Sequence, residues 1–128
     1  MTQKELTQYA ELCGKFKSEC NRVCNIIMNS KMRHSNCENI SYAERFRLAD
    51  DSVWWEGDEY WSYGGHEEHS GYFDAEYLTM SDDELLKIVE KENEEWEAEQ
   101  ERKNQEKAAQ EKERRKAQYE KLKMEFEG

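Results

Sequence analysis

Not one of the 128 residues is proline. Ordinary usage of about 5% would place roughly six in a chain this long, so nothing here forces a helix to stop. The effect is greatest toward the C-terminus, where glycine is missing as well from Ser81 to Glu127. A helix beginning there can continue for about 46 residues, roughly 69 Å at 1.5 Å per residue. In Met80-Ser81-Asp82-Asp83-Glu84-Leu85, Ser81 and Glu84 have capping-box spacing and Met80 and Leu85 that of a hydrophobic staple. The acids of the first turn also face the positive end of the helix dipole. Apolar residues lie only toward the ends: Leu85, Leu86, Ile88, Val89 and Trp96 form one patch, and Tyr119, Leu122 and Phe126 another. Residues 97–118 offer only alanines among polar groups, so the middle is expected in water, held by pairs such as Glu99 with Lys103 and Glu111 with Arg115. Such a helix can bridge distant contacts, pair with another copy or fold back on the rest of the chain. Sustained heptads are missing, which favours local packing over a long dimeric coiled coil.

A second helix is expected from Thr2 to Lys31. Leu6, Tyr9, Cys13, Phe16, Cys20, Val23 and Ile27 recur with alternating gaps of three and four, which places them on one stripe. Thr2 with Glu5 fits a capping box, and Met1 with Leu6 the staple around it. The stripe needs a partner, for which the Leu85 to Trp96 face is a candidate. Asn29 to Asn39 reads as a polar exit loop.

Between Tyr42 and Tyr77 lie ten of the fifteen aromatic residues, which locates the compact core. Phe46 and Leu48 alternate with Arg45 and Arg47, and Val53-Trp54-Trp55 and Tyr60-Trp61-Ser62-Tyr63 are rich in strand formers. Asp50-Asp51 reads as a turn, and Gly57-Asp58 and Gly64-Gly65 allow turns or bulges. A small antiparallel sheet of two or three strands follows, with Tyr72-Phe73 as the third and His66 to Gly71 as a polar loop before it. Ser41 with Glu44 leaves a short helix open as an alternative to the first strand. The expected fold is α+β: an amphipathic helix over 1–34, an acidic aromatic β module over 35–80, and a long charged helix over 81–128.

The net charge of −11 is unevenly spread, with a net of +3 over residues 1–34 and −12 over residues 35–84. Direct nucleic-acid binding is not expected, because it requires clustered cations that release phosphate counterions. A partner protein with a basic surface suits the charge better. No apolar run approaches the roughly 18 residues of a membrane span, and the N-terminus lacks the basic start and apolar core of a signal peptide. A cytoplasmic protein with reduced cysteines is expected.

Two groups of residues have the chemistry to hold a metal. Cys20, Cys24, His34 and Cys37 supply three thiolates and an imidazole, the ligand count of tetrahedral zinc, although Cys20 also belongs to the apolar stripe, where cysteine behaves as a small hydrophobe. His66, Glu67, Glu68 and His69 stand in succession between glycines. They do not form the HExxH helix of metalloproteases, and they read either as a solvated loop or as a weak divalent-ion site. No nucleophile has an identifiable base, and no glycine-rich phosphate loop is present, so neither an enzyme nor a nucleotide cofactor is expected.

What remains is the acidic, ring-rich middle. Trp54, Trp55, Asp58, Glu59, Tyr60, Trp61, Glu67 and Glu68 can present aromatic anchors within a negative field, the chemistry of a surface that enters a basic groove. The plainer reading makes the rings a core and the acids a solubilising rim. The segment VWWEGDEYWSYGGHEEHSGYFDAEYLTMSDDEL, residues 53–85, resembles one found in small phage and prophage proteins, in which a Trp- and Tyr-rich hairpin with a glycine pair leads to an aromatic and a Tyr-Leu step, here Phe73 and Tyr77-Leu78. Those proteins often carry proline after the aromatic, where this chain has Asp74-Ala75. The resemblance implies an accessory role in the host cytoplasm. It points to binding or inhibition of a host protein, such as a nucleic-acid-handling or defence enzyme. The alternatives are a homo-oligomer built on the helices and a small zinc-binding module.

Overall fold

A computed structural model describes residues 1–31 and 38–127, with side chains to residue 126. The chain is α+β: helix α1 (Gln3–Ile27), strands β1 (Arg45–Ala49), β2 (Ser52–Tyr60) and β3 (His66–Asp74), and helix α2 (Asp82–Glu127). Short 3₁₀ turns at Ile40–Tyr42 and Ala75–Thr79 join the sheet to the helices.

Helix α1 starts where its cap dictates. Thr2 Oγ1 accepts from the Glu5 amide at 3.1 Å, and Glu5 Oε1 accepts from the Thr2 amide at 3.0 Å. It ends at Ile27, four residues before Lys31. The amides of Met28, Asn29 and Ser30 turn back onto Cys24, Ile26 and Ile27 carbonyls. Polar side chains then tie this exit to α2: Ser30 donates to Glu92, and the Lys31 amide donates to Asn93 at 2.6 Å. At the other junction Ser81 caps α2, accepting from the Glu84 amide at 3.2 Å.

The three strands form an antiparallel meander in the order β1-β2-β3. Ala49 pairs with Ser52 around the turn Asp50-Asp51, where Asp50 takes a left-handed φ of 56°, a conformation aspartate tolerates better than most residues. Trp61 and Gly65 close the second hairpin, with Gly64 at φ 84°. Of the strand-forming run Tyr60 to Tyr63 only Tyr60 belongs to a strand, Ser62 and Tyr63 lying in the turn before Gly64-Gly65, and the alternative at Ser41 and the loop at His66 are likewise overturned. Ser41 and Glu44 do not open a helix; a single 3₁₀ turn runs directly toward β1. His66 to Gly71 is the first two thirds of β3 and not a loop, because each residue pairs with β2, from Tyr60↔His66 to Trp55↔Gly71. The backbone ladder supplies what the side chains' low strand propensity does not.

Strand alternation sends Val53, Trp55 and Phe73 inward, where they meet Cys20, Val23, Cys24 and Ile27 of α1, with Ile40 and Leu85 completing the cluster. The α1 stripe thus finds its partner chiefly in the sheet. Only its C-terminal half does so, since Leu6, Tyr9 and Cys13 remain exposed. Arg22 fastens α1 to the approach to α2. Its guanidinium donates to Asp82 at 2.8 Å and to the Met80 carbonyl at 3.0 Å, and it pairs with Glu19 within its own helix.

Gly57 lies within β2, not at a turn. A Cβ there would stand 1.7 Å from the Tyr42 carbonyl oxygen, so only glycine lets the Ile40–Tyr42 turn rest on the sheet.

Residues Met1–Asn93 make one compact unit, which therefore includes the first turns of α2, and Glu94–Gly128 make a second. Within the second, Arg102 bridges Glu99 and Glu106, and Arg115 pairs with Glu111. Tyr119, Leu122 and Phe126 are exposed. Among the described residues no helix is long and apolar enough to cross a membrane.

Candidate binding face

Because successive residues of a strand point to opposite faces, the register of β2 and β3 divides the acidic aromatic residues into two sets. Trp54, Glu56, Asp58 and Tyr60 of β2 share the outward face with His66, Glu68, Ser70 and Tyr72 of β3. Trp55, Glu59, Glu67 and His69 face inward.

On the outward face Trp54 and Tyr72 sit opposite each other, their rings 4.9 Å apart and tilted by 43°. Both remain open to solvent, at 43% and 41% exposure. Arg47 of β1 lies in the same rung. In the next rung Arg45 donates to Glu56 at 2.9 Å and reaches Asp58 at 3.5 Å. Beyond it, Asp58 opposes Glu68, and Tyr60 stacks with His66 at 5.8 Å. The hairpin tip adds Trp61, which leans on Gly65, and Tyr63, which is 99% exposed. No Lys or Arg occurs in the sequence between Arg47 and Lys87. The face is therefore a row of accessible rings whose acidity centres on the Asp58–Glu68 rung, with Arg45 and Arg47 on the rungs before it.

Of the residues expected to meet a partner, Trp54, Asp58, Tyr60 and Glu68 share this face and Trp61 stands at its tip. Trp55 does not belong with them. It is 1% exposed in the core, and its indole N–H has no acceptor among the described residues. Glu59 and Glu67 point to the other face. Tyr72 and Tyr63 were missed; placing Tyr72 opposite Trp54 required the hairpin register, for which the Gly64-Gly65 turn was the available signal.

The inward face near the tip holds a second polar group. The Tyr42 hydroxyl donates to Glu59 Oε1 at 3.1 Å, His69 Nε2 lies 2.8 Å from Glu59 Oε2, and the Tyr42 and His69 rings stack at 5.3 Å. The hydrogen bond from His69, aided by that from Tyr42, holds the Glu59 carboxyl below its ordinary range, while Glu59 raises the Tyr42 phenol. The run His66 to His69, read from the sequence either as a solvated loop or as a weak divalent-ion site, is split by the pleat into Asp58/His66/Glu68 outside and Glu59/Glu67/His69 inside.

Cys20 and Cys24 are buried one turn apart in the core. Burial, with the nearby Glu19 charge, pushes the Cys20 thiol up to about 11, so it is protonated at neutral pH. His34 and Cys37, the other two members of that expected set, lie outside the described residues.

A groove of about 640 Å³ opens between the exposed half of α1 and β1, lined by Tyr9, Leu12, Cys13, Phe16, Phe46 and Leu48 together with the charged Lys17, Glu44 and Arg45. The periodicity of α1 marked the stripe but not the fact that half of it would be left uncovered. Comparison with protein-family models, with curated proteins and with solved structures yields no match.

Proposed function

We propose that this chain is a non-enzymatic binding protein that engages a partner protein with a basic surface through the outward face of its sheet. One observation carries the reading. The accessible Trp54 and Tyr72 pair continues past Glu56, Asp58 and Glu68 to Tyr60 and the tip, and the sheet's Lys and Arg residues are limited to Arg45 and Arg47 of the first strand. Large rings supply contact area at little entropic cost, and surrounding charge steers an oppositely charged partner and sets register. In the phage-type setting that residues 53–85 suggest, the partner is a host protein whose basic groove ordinarily handles nucleic acid. The uncovered groove along α1 favours a second reading, a homo-oligomer joined through the helices.

The test begins with a partner captured from host lysate. Trp54→Ala and Glu68→Lys should each abolish capture, and affinity of the intact chain should fall between 50 and 300 mM salt, both roughly a working choice around the physiological screening length. Leu86→Ala, an exposed change on α2, should leave capture intact. Capture that survives both face variants and ignores salt refutes the assignment. Light scattering that shows a dimer mass for the intact chain, lost in Leu12→Glu, would move the weight to the second reading.

A further inference from the structure

We propose that Glu59, Glu67 and His69 form a divalent transition-metal site on the inward side of the β2-β3 hairpin. The ligand set follows from the pleat. Glu59 and Glu67 are directly opposed across the strands, and His69 lies two residues beyond Glu67 on the same face. Their nearest ligand atoms all fall within 4.8 Å of one another. One ion with bonds of about 2.0 to 2.2 Å holds neighbouring donors some 3 to 3.5 Å apart. The His69 and Glu59 atoms are already 2.8 Å apart, and the exposed Glu67 side chain is free to swing the remainder.

Three further features favour a cation here. Like charges directly opposite in a sheet are destabilising, and among the described residues neither Glu59 nor Glu67 pairs with a Lys or Arg. The outer group Asp58/His66/Glu68 differs in this respect. Arg45 stands 3.5 Å from Asp58 and opposes any cation there. Tyr42, held in place by the absence of a side chain at Gly57, bonds Glu59 Oε1 and leaves Oε2 directed at His69, while its ring fixes the plane of the imidazole. That is the orienting support that metal ligands ordinarily receive from their neighbours.

One imidazole and two carboxylates suit Zn²⁺, Mn²⁺ or Fe²⁺ better than the all-oxygen preference of Ca²⁺ or Mg²⁺. Three protein ligands leave at least one position for water. The site shares no ligand with the outward binding face and stands or falls apart from it.

The experiment is a Mn²⁺ titration of the full chain, with free ion read by electron paramagnetic resonance. Mn²⁺ is chosen because it disregards thiols. Glu67→Gln and Glu68→Gln remove the same charge from adjacent, exposed positions on opposite faces. Glu67→Gln should weaken binding about tenfold or more, at least five times the effect of Glu68→Gln, and Zn²⁺ should displace the bound Mn²⁺. Equal effects would mean general attraction to acidic surface, a larger effect of Glu68→Gln would assign the ion to the outer group, and an absence of binding at millimolar ion would remove the site altogether. Each of these overturns the proposal.

Discussion

Replacing Gly57 with alanine tests the most demanding contact in the fold. The new Cβ would lie 1.7 Å from the Tyr42 oxygen, 2.6 Å from its carbonyl carbon and 3.2 Å from the Ala43 Cα. An ordinary carbon–oxygen contact is about 3.3 Å or more, so the turn must withdraw by roughly 1.6 Å. All three atoms are backbone, and no side-chain rotation relieves the clash. Overpacking of this kind costs about 1–3 kcal/mol. Withdrawal also lifts Ile40, now 3% exposed, out of a core position worth about 1.5–3 kcal/mol when fully lost. The alanine returns about 0.4–1 kcal/mol by restricting the unfolded chain. The expected net loss is about 2–4 kcal/mol. Urea unfolding of the full chain, followed by tryptophan fluorescence, should show a lower midpoint at unchanged slope. Gly14→Ala is the matched control, because nothing lies within 4 Å of a Cβ there; in mid-helix it should gain about 0.5–1 kcal/mol. A Gly57→Ala protein within about 0.5 kcal/mol of the parent would refute the packing argument, since that is less than the smallest overpacking cost.

Two further outcomes follow from buried or bridging groups. Arg22→Ala should cost about 1–2 kcal/mol in the same unfolding experiment, the worth of charge-assisted bonds discounted for the exposure of Asp82. Arg22→Lys should not restore it, because a single ammonium cannot span Asp82, Glu19 and the Met80 carbonyl; full rescue by lysine would show that charge alone matters. The Cys20 thiol keeps its proton in the folded chain up to about pH 11, higher than in the unfolded chain. Its contribution to stability is therefore whole below the ordinary thiol range and declines as pH rises toward 11. A thiol reagent at neutral pH should modify exposed Cys13 promptly and Cys20 only on unfolding, and prompt modification of Cys20 in the native protein would contradict its burial.

Legibility varied with the distance over which each feature is decided. Both helix starts could be read because their caps are local: Thr2 with Glu5, and Ser81 with Glu84, need only residues three apart. The Asp50-Asp51 turn was visible for the same reason. His66 to Gly71 was not legible as strand because both of its faces are polar, which erases the period of two. Its conformation is set by the ladder with β2. Trp54 and Trp55 have like chemistry and adjacent positions. Which one is core depends on whether Val53 and Phe73 face α1, and that is a property of the assembled sheet. The inward group of Tyr42, Glu59 and His69 draws on residues up to 27 positions apart in the sequence. It depends on the glycine that admits Tyr42, so no short motif announces it.

The bond between Arg22 and Asp82 spans 60 positions, and that separation orders events at the ribosome. Helix α1 is synthesised before the sheet, so Trp55 and Phe73, which cover its apolar side, arrive only as the second and third strands are made, and Leu85 only after the whole meander. Neighbouring hairpins can zip as they appear. The helix must meanwhile wait with Val23 and Ile27 uncovered, the condition in which unfinished chains recruit chaperones or one another.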